Sequence, residues 1–301
     1  MEELFIHLQD GRKLAYAEYG DPDGQPVFIF HGTPGSRIWF LQDDETAAAL
    51  GLRLISTDRP GFGCSDPLPG RMILDWPRDV AGLADELGIG PFAVLGVSGG
   101  GVYAAACAFA LPERVLGAAM ISSAAPFPDG KPPKEMTASN KIAFRLSKYA
   151  PRLLKSFYRA QRSMIEKDPG KFMKSLRDGS RRLPEWDQQF MQTEEQLRES
   201  MVHLGEAIRI SVDEAASEPA LLAGPWGFEP SGIKVPLHIW HGKKDRMAPY
   251  NEMERLAGRM PQAKFRNHPE AGHFLSADEQ MWRTILTELK ADMSAPNEKR
   301  S

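Results

Sequence analysis

The sequence has few cysteines and no long uninterrupted apolar segment. Only two of its 301 residues are cysteine, too few for the disulfide framework of a small secreted domain, and we expect Cys64 and Cys107 to be free structural thiols. No apolar run approaches the ~18 residues that a membrane-spanning helix needs. The first residues carry acids where a signal peptide has a basic segment. The sequence therefore predicts a soluble, cytoplasmic protein.

A strong excess of positive charge is also missing, as are the usual metal and nucleotide motifs. The net charge is −3, so no overall basic field favours nucleic acid as a partner. Neither zinc-type spacing of cysteine and histidine nor a glycine-rich phosphate loop with its lysine occurs. We therefore expect no metal, no cofactor and no nucleic-acid partner. The oligomeric state stays open.

The most informative motif that is present is Gly-x-Ser-x-Gly at positions 96–100, between an apolar run and a stretch of small residues. A strand that turns abruptly into a helix places Ser98 in a strained backbone conformation, and the glycines on either side avoid a collision there. Unpaired N–H groups at the helix start can hold an oxyanion beside the exposed hydroxyl. The motif therefore predicts a nucleophilic serine and acyl transfer.

Three further segments place chemical groups at the ends of predicted strands. Asp245 lies in the turn after the apolar run 235–240, and His273 lies between Gly272 and Phe274 after the last predicted strand. A tight His-Gly turn at 31–32 follows the apolar run 27–30. Because functional groups collect at the carboxyl ends of parallel strands, we expect these segments to meet Ser98.

Together these segments resemble the α/β-hydrolase superfamily, in its bacterial serine-nucleophile type with a helical cap. The order Ser98, Asp245, His273 along the chain matches the order of the family's catalytic triad. The resemblance implies that Ser98 attacks an acyl carbon, His273 transfers the proton and Asp245 orients the imidazole. It also implies an oxyanion hole formed by the backbone N–H groups of Gly99 and Thr33.

Several of these assignments have competitors. His268 lies close to His273 but adjoins a proline at the predicted strand end, so the family pattern favours His273. His31 and His241 precede glycines and are more typical of loop support. Pro34 has no N–H, which leaves Thr33 or Gly35 as the second oxyanion donor, and the resemblance selects Thr33. Four aromatic residues could either line an acyl pocket or belong to the core, and the core is favoured: Trp39, Phe40, Phe62 and Trp226.

The chain is predicted to form an α/β fold with a mostly parallel eight-stranded sheet and helices on both faces. The predicted strands are 3–8, 14–19, 27–30, 53–57, 92–97, 115–121, 235–240 and 264–266. The first two read as an antiparallel hairpin that turns at Asp10-Gly11. Prolines mark the positions where the alternation of strands and helices stops and where it resumes. This predicts a core of 1–126 and 231–301 and a helical cap inserted at 127–230.

The predicted cap is divided by charge. Residues 131–182 hold 15 Lys and Arg against 4 Asp and Glu, whereas 183–230 hold 2 against 10. Mutual packing of the halves, or ordinary solvated faces, is therefore favoured over contact with a membrane surface. In the basic half, apolar residues recur at the spacing of one helix face, with a break expected at Pro151: Ile142, Leu146, Tyr149, Leu153, Phe157, Ala160 and Met164.

The leading functional hypothesis is a serine hydrolase, most simply a carboxylesterase, that cleaves a small ester, thioester or lactone through an acyl-enzyme. Serine as the nucleophile at position 98 disfavours the family's dehalogenases and epoxide hydrolases, which use aspartate at that position. A proline iminopeptidase stays open because of the His-Gly-Thr-Pro-Gly segment, and it would need cap acids for a substrate ammonium: Glu194, Glu195, Glu199, Asp213 or Glu214. A carbon–carbon bond hydrolase and a slow-turnover ligand receptor are the remaining alternatives.

Overall fold

The computed structural model describes residues 3–40, 44–127 and 129–294, without the side chains of residues 39, 40 and 44. Its eight strands are β1 (Leu4–His7), β2 (Lys13–Gly20), β3 (Gln25–Phe30), β4 (Leu52–Thr57), β5 (Phe92–Val97), β6 (Val115–Ile121), β7 (Leu237–Gly242) and β8 (Ala263–His268). They form one sheet in the order β1-β2-β4-β3-β5-β6-β7-β8. All eight predicted strands are thereby confirmed, with ends shifted by one or two residues at several of them.

The sheet is antiparallel at one edge and parallel elsewhere. Strand β2 pairs antiparallel with both β1 and β4, and every pair from β4 to β8 is parallel. The predicted hairpin at the start of the chain is confirmed. Because β3, β5, β7 and β8 run in the same direction, the loops that follow them open at one edge of the sheet.

Eleven α-helices lie within the described residues. They are α1 (Asp44–Ala49), α2 (Trp76–Glu86), α3 (Gly99–Ala110), α4 (Ala138–Tyr149), α5 (Pro151–Lys167), α6 (Pro169–Ser180), α7 (Glu185–Gln188), α8 (Glu194–Ala207), α9 (Asp213–Ala223), α10 (Tyr250–Ala257) and α11 (Glu279–Met293). Helices α2, α3 and α10 pack on one face of the sheet, and α1 and α11 pack on the other.

The sequence of β3 shows why both faces are covered. Phe28 and Phe30 belong to the core on the α2 and α3 side, whereas Val27 and Ile29 belong to the core on the α11 side. Successive side chains of a strand point to opposite faces, so a continuous apolar run requires helices on both. The mostly parallel α/β architecture follows from runs of this kind.

Helices α4 to α9 form an insertion between β6 and β7. The predicted break is present, since α4 ends at Tyr149 and Pro151 begins α5. The insertion has its own apolar cluster, which includes Leu154, Tyr158 and Ile208 and reaches Phe62 of the core. Cys64 and Cys107 are both free and buried, as expected. None of the described helices has the length and apolar composition to cross a membrane.

Candidate active site

Ser98 occupies the sharp turn between β5 and α3. Its φ of 55° and ψ of −121° lie outside the ordinary regions for a residue with a side chain, a conformation that costs about 1–3 kcal/mol. Its backbone N–H donates to the Ile121 carbonyl at 2.8 Å, which ties the turn to β6. A Cβ on Gly96 would collide with the Gly100 backbone, and one on Gly100 would collide with the Phe30 carbonyl. The two glycines are therefore required by close packing of backbone segments.

Asp245 and His273 are joined by a direct hydrogen bond. The His273 Nδ1 donates to Asp245 Oδ2 at 2.8 Å, and both side chains are buried. The other carboxylate oxygen of Asp245 accepts the backbone N–H groups of Met247 and Ala248 at 2.8 and 2.9 Å. These bonds fix the carboxylate in the turn after β7 and leave His273 Nε2 as the imidazole nitrogen that does not face Asp245.

Charge and burial act against each other in this pair. Burial alone raises the pKa of Asp245, but the adjoining His273 and His241 outweigh it and hold the pKa well below its usual value. Burial likewise lowers the pKa of His273, and the nearby Asp245 carboxylate outweighs that effect, so the pKa of His273 lies above its usual value. The pair therefore favours an ionised Asp245 that stabilises a protonated His273.

The two predicted oxyanion donors lie next to each other. Gly99 is the first residue of α3, so its N–H has no acceptor within the helix. A Cβ on Gly99 would collide with Thr33 Oγ1, which shows how closely the loop after β3 approaches the serine turn. The structure thus brings Thr33 and Gly99 together beside Ser98.

Four of the five predicted site residues line one cavity of about 230 Å³: Ser98, Gly99, Thr33 and His273. The remaining lining is mainly apolar and includes Phe127, Met136, Phe144, Tyr158 and Leu222. Among the described lining residues there is one acid, Glu252, and no lysine or arginine. Glu252 is paired with Arg255 at 2.7 Å. The cavity is suited to an uncharged, partly apolar group next to the serine.

Sequence reasoning missed Glu218, which lies in α9 and is completely buried. It pairs with Arg59 and Arg71, each at 2.8 Å. It also accepts hydrogen bonds from Tyr103 Oη at 2.8 Å and from Thr33 Oγ1 at 2.5 Å. Burial raises its pKa, but the two arginines outweigh burial and the pKa is lowered. Glu218 therefore connects the insertion with the loop that carries the predicted oxyanion donor.

Asp187 was also missed. This buried acid of α7 accepts the backbone N–H of Phe274 at 2.9 Å, directly after His273 in the chain. Burial raises the pKa of Asp187. The contact joins the insertion to the histidine loop. No sequence signal distinguishes Asp187 or Glu218 from the other acids of the acidic half, because their partners lie far away in the chain.

The competing histidines occupy other positions. His268 stacks on Trp240 with ring centroids 5.6 Å apart and is not among the residues that line the cavity. His241 donates to the Ala248 carbonyl at 2.8 Å and lies 3.3 Å from the Asp245 carboxylate. His31 Nδ1 lies 2.8 Å from the Gly32 carbonyl. Each of these contacts supports a strand end or a loop.

One group of acids and a thiol has the proximity that a metal ion requires. The ligand atoms of Asp58, Cys64 and Glu206 lie within 4.8 Å of one another. Arg37 Nη1 donates to Asp58 and to Glu206 at 2.7 Å each, so its guanidinium supplies the positive charge there.

Four aromatic residues were considered as either pocket wall or core. Phe62 and Trp226 are buried in the apolar clusters, and the side chains of Trp39 and Phe40 lie outside the described part.

Comparison with known proteins agrees with this architecture. A non-heme chloroperoxidase from Streptomyces lividans is 35% identical over 136 residues, which are 42% of this chain and 49% of that protein. The chain thus spans about half the length of that relative. A 2-hydroxy-6-oxononadienedioate/2-hydroxy-6-oxononatrienedioate hydrolase from Burkholderia vietnamiensis is 27% identical over 275 residues, covering 89% of this chain and 87% of that one.

Solved structures are similar in fold over nearly the whole chain. An esterase from Exiguobacterium antarcticum superposes with a TM-score of 0.66 at 23% identity, covering 96% of this chain and all of that chain (100%). At this identity the likeness concerns the fold alone. The model of the alpha/beta hydrolase fold family matches residues 25–280, which is most of the sequence. The chain therefore belongs to the α/β-hydrolase fold family.

Proposed function

We propose that this hydrolase-fold protein is a serine hydrolase that cleaves a small carboxylic ester through an acyl-enzyme. One observation carries the proposal: strained Ser98 lines the same cavity as His273, whose imidazole is hydrogen-bonded to buried Asp245. A nucleophile, a base and a residue that orients the base are the parts that such a reaction needs. Thioesters and lactones present the same acyl carbon and fall within the proposal.

In the acylation step, Ser98 Oγ attacks the ester carbonyl carbon while His273 Nε2 takes the hydroxyl proton. Asp245 holds the imidazole through Nδ1 and stabilises the imidazolium that forms. The carbonyl oxygen becomes an oxyanion, which the N–H groups of Gly99 and Thr33 stabilise. When the tetrahedral intermediate collapses, the bond to the leaving alkoxide breaks and His273 gives that oxygen its proton. The acyl group is then an ester of Ser98.

In the deacylation step, water takes the place of the alcohol. His273 Nε2 removes a proton from the water as its oxygen attacks the acyl carbon, and the same N–H groups hold the new oxyanion. The bond to Ser98 Oγ then breaks, and His273 returns the proton to the serine. The products are one carboxylic acid and one alcohol, and the enzyme returns to its starting state.

The lining of the cavity supports an uncharged substrate. A buried carboxylate on a substrate needs a positive partner, and the described cavity lining includes no lysine or arginine. This argues against a dianionic substrate such as the one in the name of the Burkholderia vietnamiensis relative. We propose that residues 127–230 form a cap over a core of 1–126 and 231–301, and that the cap supplies the apolar wall facing Ser98.

The aminopeptidase alternative receives less support. Asp213 pairs with Lys155 and Glu214 with Arg71, and Glu194, Glu195 and Glu199 are exposed. None of the five lines the cavity. Glu252 does, but Arg255 already neutralises it. A substrate ammonium would therefore find no unpaired acid among the described lining residues.

The proposal is tested by hydrolysis of p-nitrophenyl esters of graded acyl length, with Ser98→Ala assayed beside the unmodified protein. We expect many turnovers per chain, a preference for short acyl groups, and loss of hydrolysis in the variant. Product release that stops near one equivalent would favour a receptor that traps its ligand. A prolyl amide cleaved in preference to every ester would favour the aminopeptidase.

A further inference from the structure

Helices α4 and α5 carry a group of large apolar side chains that are exposed. Ile142, Tyr149, Leu153 and Phe157 have 56, 72, 62 and 53% of their surface exposed. Leu153 and Phe157 are one turn apart on α5, and Ile142 and Tyr149 are two turns apart on α4. We call these four residues the outer patch. Single exposed apolar residues are ordinary, whereas four large ones on one helix pair make a candidate interaction surface.

The other side of the same helices is anchored in the protein. Leu154 and Tyr158 are buried in the cluster of the insertion, and Ser147 Oγ donates to the Ser217 carbonyl of α9 at 3.1 Å. Phe144 and Tyr158 line the cavity. The helix pair therefore separates the cavity from the outer patch, and the exposure of the outer patch is a property of well-packed helices.

The helix segment that carries the outer patch has charge of one sign. Residues 136–165 contain seven Lys and Arg and not one Asp or Glu. Four of these cations are exposed: Arg145, Lys148, Arg152 and Arg159. Among the described residues, the acidic half of the insertion provides a single ion pair to this stretch, between Asp213 and Lys155 at 3.1 Å. The two halves pack against each other, since Leu154 and Tyr158 share a cluster with Ile208, but within the described part of the chain that packing pairs only Lys155 of these cations with an acid of the other half.

We propose that the outer patch and its four exposed cations dock the protein onto an anionic phospholipid surface. Leucine, tyrosine, phenylalanine and isoleucine would enter the headgroup boundary, while the arginine and lysine heads bind lipid phosphates. A second copy of the chain fits this surface less well, because a symmetric contact would bring two sets of cations together. An anionic bilayer complements both the apolar and the charged component.

Docking would hold the helix pair that borders the cavity close to the esters that partition into the lipid. The wall that carries the outer patch also lines the cavity, so a docked protein would hold its cavity wall at the lipid surface. This step rests on the proposed function, and it assigns as substrates the uncharged esters that partition into anionic membranes. The docking itself does not depend on catalysis, so the two claims are tested separately.

The test is flotation of the full chain with vesicles of phosphatidylcholine and phosphatidylglycerol, against vesicles of phosphatidylcholine alone. We expect binding to the anionic vesicles that weakens as salt increases. The double variant Leu153→Ser, Phe157→Ser is expected to bind at least about tenfold more weakly, because it loses two inserted apolar side chains. Arg152→Glu with Arg159→Glu is expected to lose about as much or more.

The matched control replaces two exposed apolar residues outside the insertion, Phe5→Ser with Met72→Ser, whose exposures are 48 and 63%. It is expected to bind like the unmodified protein, as is Ser98→Ala. The double variant of the outer patch is expected to hydrolyse a water-soluble ester at the unmodified rate and a vesicle-embedded ester more slowly. Circular dichroism and the melting temperature check that each variant is folded.

Three results would overturn docking. They are no binding to anionic vesicles, equal binding by the outer-patch variants, or a dimer in solution that these variants dissociate while no vesicles are bound. The last result would assign the outer patch to contact between copies. A protein that binds vesicles through the outer patch but hydrolyses no ester would instead contradict the proposed function and leave docking standing.

Discussion

The α/β core and the helical insertion use apolar residues in opposite ways. In β3 of the core, Val27, Phe28, Ile29 and Phe30 are all fully buried, and the strand leads to the loop that carries Thr33. In α5 of the insertion, Leu154 is buried but its neighbour Leu153 is largely exposed. The core thus carries the proposed reacting groups, whereas the insertion presents apolar side chains both to the cavity and to the outside. This difference suggests that chemistry resides in the core and selection of the substrate in the insertion.

The core was also the part that the sequence predicts best. Ser98 can be recognised in the sequence because close backbone packing requires Gly96 and Gly100 at fixed spacing. The strands can be recognised because continuous apolar runs require cover on both faces of the sheet. Asp245 and His273 could be predicted as neighbours because each follows a predicted strand and because their order matches that of the family which the sequence resembles. The structure joins these two by a hydrogen bond.

The insertion was predictable only as a helical segment with a break at Pro151. Glu218 contacts Arg59, Arg71 and Thr33 across 147 to 185 residues of sequence, and no local pattern encodes such partners. The outer patch was visible as a helical stripe, but the stripe alone does not say which face is covered. Long-range packing decides both features.

The largest effect is expected in the core, from Asp245→Asn. An amide in place of the carboxylate no longer stabilises the imidazolium and favours the wrong tautomer, so kcat for a soluble ester should fall about 10⁴-fold. Steady-state kinetics with a p-nitrophenyl ester measures it. A loss below tenfold would contradict the assigned role of Asp245.

The same pair gives a pH dependence of definite sign. His273 must be unprotonated to accept the serine proton, so kcat/KM should increase with pH through the pKa of His273. The Asp245 carboxylate raises that pKa above its usual value of 6.5, so the midpoint should lie above 6.5. In Asp245→Asn the midpoint should move down, and an unchanged or higher midpoint would contradict this account.

The next largest effect is expected at the junction of the two regions. Glu218→Ala leaves the buried guanidiniums of Arg59 and Arg71 without their shared carboxylate, which should lower the free energy of unfolding by about 3–5 kcal/mol. Urea denaturation measures it. The substitution Glu195→Ala at an exposed acid of α8 serves as the control and should change the free energy of unfolding by less than ~0.5 kcal/mol. If both variants lowered the free energy of unfolding by the same small amount, the ion pairs of Glu218 would not contribute to stability.

A smaller effect is expected on the cavity face of the insertion. Phe144 lines the cavity and packs against Phe127 with ring centroids 4.9 Å apart. Phe144→Ala should enlarge the acyl site and shift the preference toward longer acyl chains by about tenfold in the ratio of kcat/KM values. The rate with an acetyl ester should change least. An unaltered chain-length profile would place substrate selection elsewhere.

The smallest effect is expected on the outer face of the insertion. Leu153→Ala removes an exposed side chain and should change the free energy of unfolding by less than ~0.5 kcal/mol. Leu154→Ala, one residue further on, empties a buried site and should cost about 2–5 kcal/mol. Chemical denaturation of both variants measures the contrast. Similar losses would mean that the outer face is packed in solution.

The central claim is that Ser98 forms an acyl-enzyme, and mass spectrometry of the acid-quenched protein during turnover of p-nitrophenyl acetate tests it most directly. The account predicts one acetyl group per chain, located on the peptide that contains Ser98 and missing from Ser98→Ala. Turnover without any covalent adduct, or an adduct on another residue with full activity in Ser98→Ala, would contradict it.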